Sequence, residues 1–298
     1  MLPPPPPGLV FNFDGVDLNN LSSVTSPQVL KNLFNARKIG YVDYITAIRA
    51  LQSPSAAHVS QSASVQVLYP ETARPPIAPQ AVLQLLASPL PRSSQHIAST
   101  QIHRISDSFL VKYGPFVNAL EAKTMKFVQE HTTIPVPTVH LVFISNGKTY
   151  IVMDYIPGAD VQHLWPSLSS SQRQSIVAQV AHYLHELRDI TPQSSIPGPI
   201  AQGLCYGRWF PSYGAGPFQS HSQLVEWWNR ELDAAVVPTG RQGVEADCDR
   251  LRADSPLVFT HGDLLPRNII FCRDKLWVVD WELQVLSSRD LGRGLSHR

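Results

Sequence analysis

The sequence of 298 residues has few cysteines and no marked excess of charge of either sign. Its 3 cysteines are widely spaced and include no C-x-x-C pair, which argues against a disulfide framework and against a structural zinc site. A reducing, cytoplasmic setting fits this usage best. The formal net charge of +1 gives no overall attraction to nucleic acid or to an anionic membrane, so any partner must be inferred from a site.

Long apolar runs are also absent. No stretch reaches the roughly 18 apolar residues that a membrane-spanning helix needs. The N-terminal sequence MLPPPPPGLV lacks the basic and apolar regions of a signal peptide. We therefore expect a soluble protein, and its 43% hydrophobic content is enough to form one large core or two lobes.

Residues 1–91 predict an N-terminal extension. Prolines 3–7 predict an exposed, polyproline-like tail, because proline cannot form the interior of a helix or sheet. Ser26 as an N-cap and Pro27 at the first helical position predict one or two helices after the tail. Residues 52–92 are rich in Ser, Ala and Pro, which predicts a linker in which only QAVLQLLA is helical.

Residues 92–156 predict a small antiparallel sheet with one helix. The runs QIHRIS and SFLVKY are β-like, and NALEAKTMKFVQEH has apolar residues at helical spacing. The runs TVHLVFI and KTYIVMDYI flank Asn146 and Gly147, the strongest short signal for a hairpin. Residues 157–298 are mainly helical in pattern, with a last hairpin around residues 273–275.

The stretch FTHGDLLPRN, residues 259–268, places several polar side chains where a short apolar strand ends. Phosphoryl transfer needs a base for a hydroxyl proton, together with amide and carboxylate oxygens that hold magnesium, because its catalysis is mostly positioning and charge neutralisation. Asp263 and Asn268 lie in this stretch, and Asp280 ends the hairpin that Asn268 begins. These residues supply all three groups.

The segments HGDLLPRN and VVDWE closely resemble the catalytic segment of the aminoglycoside phosphotransferase and choline kinase-like family, whose members are relatives of the protein kinases. The resemblance covers roughly residues 100–282. It implies an α+β, two-lobed protein kinase-like fold with a small antiparallel β lobe and a mainly helical lobe. It also implies ATP and Mg²⁺ as cofactors and a small-molecule hydroxyl as acceptor.

The resemblance assigns roles in the second lobe. Asp263 corresponds to the catalytic base, and His261 to a residue that braces the loop. Asn268 and Asp280 correspond to the magnesium ligands, and the spacing from Asp263 to Asn268 equals that of the kinase pattern.

It also assigns roles in the first lobe. Lys112 in SFLVKYG corresponds to the strand lysine that contacts nucleotide phosphates, and Glu121 to its helix partner. The segment IVMDYIPGADV resembles the interlobe hinge. The backbone groups of Asp154, Tyr155 and Ile156 are therefore candidates to hydrogen-bond adenine.

Some of these residues have ordinary alternative interpretations. Lys112 alone could be an edge-strand lysine that limits aggregation. Glu121 follows Asn118 by three positions and could belong to a helix-capping arrangement. Arg267 could contact a phosphate, although a solvated loop residue or a structural partner is the favoured interpretation.

The sequence departs from the family pattern at two places. No glycine occurs between Gly40 and Gly114, so the Gly-rich loop that lets backbone amides approach phosphates is missing, and residues 93–94 or 99–100 are candidate donors instead. The family continues past DWE through several helices that wall the acceptor site. This sequence ends at Arg298 after a segment with little apolar periodicity, which predicts a truncated lobe with exposed helices that a protein partner could cover.

Three classes of function remain open from the sequence. The leading one is a phosphotransferase. The second is a catalytically impaired kinase-like protein that binds nucleotide weakly or acts through protein partners. The third is a metal-dependent hydrolase, which would use similar ligands without needing Lys112. The acceptor itself is not identified by these residues.

Overall fold

The computed structural model describes most of the chain after residue 64: residues 65–70, 75–87, 100–114, 117–192, 194–200, 203–206, 210–211, 214–236, 250–283 and 285–288, with the single residues Leu21, Val29, Leu33 and Ala47. The chain divides into two units, Met1–Ser62 and Ala63–Arg298. In the first unit Leu33 and Ala47 are buried. The predicted proline-rich tail and the predicted helix start at Ser26 lie outside the described residues.

A five-stranded antiparallel sheet opens the second unit. Its strands are β1 (Gln66–Tyr69), β2 (Gln101–Arg104), β3 (Phe109–Gly114), β4 (Val139–Ser145) and β5 (Lys148–Asp154), in the spatial order β1-β4-β5-β3-β2. Strands β4 and β5 are buried on both faces over most of their length, as their apolar sequences VHLVFIS and KTYIVMD require.

A two-residue turn joins β4 to β5. Asn146 and Gly147 occupy it with φ values of 48° and 68°, and Ser145 pairs with Lys148 across it. Positive φ at both central residues defines the turn whose twist matches that of the flanking strands. The predicted Asn-Gly hairpin is confirmed.

Strand β1 corrects the predicted linker, whereas the helix after it confirms the helical prediction for QAVLQLLA. Residues 66–69 pair antiparallel with residues 142–144 of β4. Helix α1 (Pro79–Ala87) buries Val82 completely against the sheet, in contact with a cluster that includes Val111 and Phe143. The linker prediction is wrong for β1, because its partner strand lies far along the sequence and local composition cannot reveal it.

Helix α2 (Ala119–His131) follows β3. Asn118 is its N-cap, and the Asn118 side chain accepts a hydrogen bond of 2.9 Å from the Leu120 N–H. One face of the helix is buried by Glu121, Ala122, Thr124, Met125 and Val128. The helix packs on the short 3₁₀ turn Trp281–Leu283, which belongs to the far end of the chain.

The rest of the second unit mixes helices and short strands: β6 (Ala159–Asp160), α3 (Val161–Leu164), α4 (Ser170–Asp189), α5 (His221–Val236), β7 (Leu257–Thr260), β8 (Ile269–Cys272), β9 (Lys275–Val278) and β10 (Val285–Ser288). Helix α4 begins with a reciprocal capping box between Ser169 and Gln172. Strands β6, β8 and β9 form one small sheet, and β7 with β10 forms another. Within the described residues, no helix is long and apolar enough to cross a membrane.

The hairpin of β8 and β9 turns without glycine. Arg273 and Asp274 occupy its two central positions with φ values of 51° and 60°. Lys275, which was predicted to lie in the turn, pairs instead with Cys272 as the first residue of β9. The predicted hairpin is confirmed, and it carries the chain to Asp280.

The segment after Glu282 includes strand β10. It pairs antiparallel with β7, with Val285 opposite Thr260 and Ser288 opposite Leu257. The sequence of this segment showed little apolar periodicity, because a four-residue strand is defined here by its partner rather than by its own pattern.

One apolar core joins the five-stranded sheet to the helical part. Its members from the first part include Met125, Val128, Ile151 and Met153, and those from the second part include Leu187, Phe259, Leu276 and Trp281. Trp281 is fully buried, and its Nε1 donates to the Val278 carbonyl at 3.0 Å. The polar residues of the predicted site lie beside this core.

Candidate active site

His261 braces the loop of residues 261–268, which follows β7. It is buried, its Nε2 lies 3.0 Å from the Val279 carbonyl, and its Nδ1 accepts from the Asp263 N–H at 3.2 Å. Burial lowers the pKa of His261 and outweighs the hydrogen bond to Val279, which raises it. The neutral imidazole, with its proton on Nε2, therefore fixes the start of the loop against the chain just after β9.

Asp263 presents one oxygen of its carboxylate to two donors. Its side chain is 10% exposed, and its Oδ2 accepts from Arg267 Nη2 and, at 3.1 Å, from Asn268 Nδ2. Arg267, whose side chain is 48% exposed, is therefore a structural partner of Asp263, as favoured from the sequence. Because both bonds use Oδ2, the Asp263 Oδ1 atom is left for another ligand.

Asn268 closes the same loop. Its Nδ2 also donates to the Asp263 carbonyl at 2.8 Å, and its own carbonyl accepts from the Val279 N–H at 3.0 Å. The 3₁₀ turn Pro266–Asn268 places it at the start of β8. These side-chain bonds go through Nδ2, so the amide oxygen Oδ1 is the atom that could bind a cation.

Asp280 follows Val279 with an unusual backbone. Its φ is 67°, in the left-handed region that residues other than glycine seldom adopt. Such a conformation costs about 1 kcal/mol or more and is concentrated at functional sites. The Asp280 side chain is 34% exposed, and its Oδ1 accepts from Lys112 Nζ at 2.6 Å.

Lys112 lies among three carboxylates. Its Nζ is 2.9 Å from Glu121 Oε2, 2.6 Å from Asp280 Oδ1 and 3.4 Å from Glu282 Oε2. Burial by itself lowers the pKa of Lys112, but Glu121, Asp280 and Glu282 together outweigh burial and raise it. The ammonium group is therefore charged at neutral pH. Strand β3 lies between β2 and β5, so Lys112 is not an edge-strand residue.

Glu121 is an ion-pair partner rather than part of a helix cap. Asn118 caps helix α2 without it, and the Glu121 carboxylate contacts Lys112 Nζ through both oxygens, at 3.0 and 2.9 Å. Burial raises the pKa of Glu121 to about 7, against the opposing effect of Lys112.

Two sets of oxygen donors lie in the site. The carboxylates of Glu121, Asp280 and Glu282 lie within 4.8 Å of one another, but the Lys112 ammonium contacts all three. The pair predicted to bind magnesium, Asn268 and Asp280, is brought together by the hydrogen bond between the Asn268 carbonyl and the Val279 N–H. Sequence reasoning assigned no role to Glu282, although it lies in the DWE segment that carried the resemblance.

The predicted hinge begins where β5 ends. The Asp154 N–H donates to the Thr138 carbonyl at 3.0 Å, and the Tyr155 N–H donates to the Ser108 carbonyl at 2.8 Å. Both donors are thus engaged within the protein. Ile156 is then the hinge residue whose N–H is the candidate donor to adenine, and this assignment stays a prediction.

The predicted substitutes for a Gly-rich loop lie largely outside the described residues. Of residues 93–94 and 99–100, the structure describes Thr100, which immediately precedes β2. Strand β2 pairs with β3 so that Ile102 lies opposite Lys112. A phosphate-binding role for residues before β2 therefore remains a prediction.

The fold and the site together define a class of protein. A small antiparallel sheet with a buried lysine–glutamate pair, followed by a helical part that carries Asp263, Asn268 and Asp280, is the α+β, two-lobed protein kinase-like architecture. The family model described as "APH: Phosphotransferase enzyme family" matches residues 118–289. The chain belongs to this family of phosphotransferases, which act on small molecules.

Two solved structures are similar to the chain at low identity. A protein assigned as a fructosamine-3-kinase, from Haemophilus somnus 129PT, is 16% identical with a TM-score of 0.43, and the match covers 70% of this chain and 72% of that chain. The ternary complex of streptomycin, ATP and APH(2")-IIa is 13% identical with a TM-score of 0.42, and the match again covers 70% and 72% of the two chains. A comparison with curated proteins found no match.

Proposed function

We propose that the protein transfers the γ-phosphoryl group of ATP to a hydroxyl group of a small molecule, in a magnesium-dependent reaction. The observation that supports this most strongly is the contact of Lys112 with both Glu121 and Asp280. It places a charged ammonium next to one of the two predicted metal ligands. A metal-dependent hydrolase would have no need of this buried lysine.

Asp263 is the proposed general base. Arg267 and Asn268 hold its Oδ2 atom, so Oδ1 is the atom that would accept the proton of the acceptor hydroxyl. His261 fixes the Asp263 backbone from the other side through its Nδ1. The carboxylate is therefore oriented before an acceptor arrives, which is the main contribution a protein makes to this kind of transfer.

Lys112 is the proposed phosphate-binding cation. Its raised pKa keeps it charged throughout the neutral range, and Glu121 on helix α2 fixes the position of its ammonium group. A preorganised charge in a partly dry site stabilises charge that develops on phosphate oxygens. Ile156 is the proposed hinge donor to the adenine base.

The residues that flank the β8–β9 hairpin, Asn268 before it and Asp280 after it, fit a hard divalent cation. Asn268 and Asp280 offer an amide and a carboxylate oxygen, which is the donor chemistry that Mg²⁺ prefers. Asp280 is also partly exposed, so it is accessible from solvent. When bound there, magnesium would neutralise charge on the nucleotide phosphates.

The first test is the melting temperature of the full chain with and without Mg-ATP, for the wild type and for Asp280→Asn. A ligand present at about 100 times its dissociation constant stabilises the folded state by about 2.7 kcal/mol. We expect the wild type to melt several degrees higher and the variant to respond weakly. Panels of small hydroxyl compounds are then screened for acceptor-dependent ATP consumption. A wild type that shows neither a shift nor consumption at millimolar nucleotide contradicts the proposal.

A second candidate function is weak nucleotide binding without transfer. The absence of glycine between Gly40 and Gly114 favours it, since a Gly-rich loop lets backbone amides approach phosphates closely. It predicts a thermal shift with Mg-ATP but no phosphorylated product with any acceptor of the panel. Product formation that is lost in Asp263→Asn excludes it.

A further inference from the structure

We propose that Tyr69 of strand β1 is a positioning residue, which holds helix α2 and thereby keeps the Glu121 carboxylate against Lys112. The consequence for catalysis rests on the proposed function, whereas the effect on the helix does not. Strand β1 lies before residues 118–289, the part matched by the family model. Tyr69 thus lies outside the part of the chain that the family model matches.

The first observation is the way β1 is joined to the sheet. Val67 pairs with Phe143 and Tyr69 with Val142, so the register shifts at Leu68. Such an irregularity inserts an extra residue and re-aims the side chains around it. Val67 is left 44% exposed, whereas Leu68 and Tyr69 both pack against the main core.

Tyr69 also contacts a residue of helix α2 directly. The core cluster against which it packs includes Met125 and Val128 of helix α2. In addition, Lys126 Nζ lies 4.2 Å from the centroid of the Tyr69 ring. A cation over the face of an aromatic ring is attracted by the ring quadrupole, more strongly where both are partly buried. Tyr69 therefore contacts α2 through a cation–π interaction, and it packs against the core cluster to which the buried face of α2 belongs.

The same stretch of helix carries the Glu121 carboxylate. Met125 lies one turn after Glu121, is 1% exposed, and shares the buried face of α2. A helix moves as a rigid element over so short a distance, so a shift at Lys126 also displaces Glu121. Lys112 would then keep Asp280 and Glu282 as partners but lose the contact at 2.9 Å that links its ammonium to helix α2.

The test compares three variants of the full chain: Tyr69→Ala, Tyr69→Phe and Val67→Ala. Tyr69→Phe keeps the ring face, and Val67→Ala is a matched control because it changes an exposed residue of the same strand. Amide hydrogen exchange of residues 119–131 is measured without nucleotide, against exchange in the rest of the chain. We expect Tyr69→Ala to exchange about tenfold faster in this helix, the effect of losing a contact worth about 1.4 kcal/mol. Tyr69→Phe and Val67→Ala should exchange like the wild type.

Binding of Mg-ATP, measured by titration, gives a second readout. Tyr69→Ala should bind more weakly than the wild type, with normal binding restored in Tyr69→Phe. Lys126→Met keeps an apolar stem and removes the cation, so it should show a smaller change of the same kind. If Tyr69→Ala does not fold, the exchange of residues 119–131 is measured in Lys126→Met, and we expect it to be faster than in the wild type.

The outcomes separate this inference from the proposed function. If Tyr69→Ala and Val67→Ala exchange equally in residues 119–131, the positioning role is overturned even if the wild type binds Mg-ATP. Where Tyr69→Ala does not fold, an exchange rate of Lys126→Met equal to that of the wild type overturns it in the same way. Faster exchange in a protein whose wild type binds no Mg-ATP supports the positioning role and contradicts the proposed function.

Discussion

Lys112 Nζ lies 2.6 Å from Asp280 Oδ1, a contact between residues 168 positions apart in the sequence. It joins strand β3 of the five-stranded sheet to the chain just after β9. The same ammonium holds Glu121 of helix α2, so one cation connects three elements. This ion cluster therefore links the sheet, helix α2 and the segment that carries Asp280.

Replacing Lys112 should therefore destabilise the protein as well as remove a phosphate contact. Lys112→Met leaves the buried Glu121 carboxylate without its cation, and breaking a buried pair in this way costs about 3–5 kcal/mol. The double variant Lys112→Met with Glu121→Gln should recover much of that loss, because no buried charge remains. Urea unfolding measures both, with Lys148→Met as an exposed control from the β4–β5 turn region. Equal stability of Lys112→Met and wild type contradicts the expectation.

Asp263→Asn should separate nucleotide binding from turnover. The Asp263 carboxylate contacts Arg267 and the proposed magnesium ligand Asn268 through Oδ2, and an asparagine at this position keeps a side-chain oxygen that can accept from both. Loss of a general base lowers kcat by about 10²–10⁴-fold. We expect the Kd for Mg-ATP to change little. The control is Asp274→Asn in the exposed β8–β9 turn, and a parallel loss of binding in Asp263→Asn would argue against the role of base.

Features that are encoded within a few consecutive residues could be predicted from the sequence, whereas contacts between residues far apart in the sequence could not. The hairpin at Asn146 and Gly147 and the spacing from Asp263 to Asn268 are encoded within a few residues, so the sequence alone predicts them. Strand β1 was not predictable in this way, because its hydrogen-bond partners lie on β4, more than 70 positions away in the register of Gln66 with Ile144. The same holds for the contact of Glu282 with Lys112, since a short acidic segment does not specify which distant cation it meets.

His261 should make the folded state sensitive to acid. Its ordinary pKa of 6.5 is lowered in the folded protein by burial, so protonation is less favourable there than in the unfolded chain. The stability it contributes is fully present above pH 6.5 and is lost as the pH falls below that value, at up to about 1.4 kcal/mol per pH unit. Over the same window the raised pKa of Glu121, about 7, acts in the opposite direction, so the contribution of His261 is the difference between the wild type and His261→Gln in urea midpoints from about pH 7.5 to about pH 5. His261→Gln should lose less stability per unit of falling pH than the wild type, whereas the control His185→Gln, on an exposed position of α4, should match it.

Helix α1 should contribute to the stability of the sheet. Val82 is fully buried against Val111, Leu141 and Phe143, although its segment looks like part of a linker in the sequence. Val82→Ala removes two methyl groups from a packed site and should lower the free energy of unfolding by about 2 kcal/mol. Leu85→Ala, on the same helix but 36% exposed, should have a clearly smaller effect. If the two variants unfold at the same urea concentration, α1 does not pack on the sheet in solution.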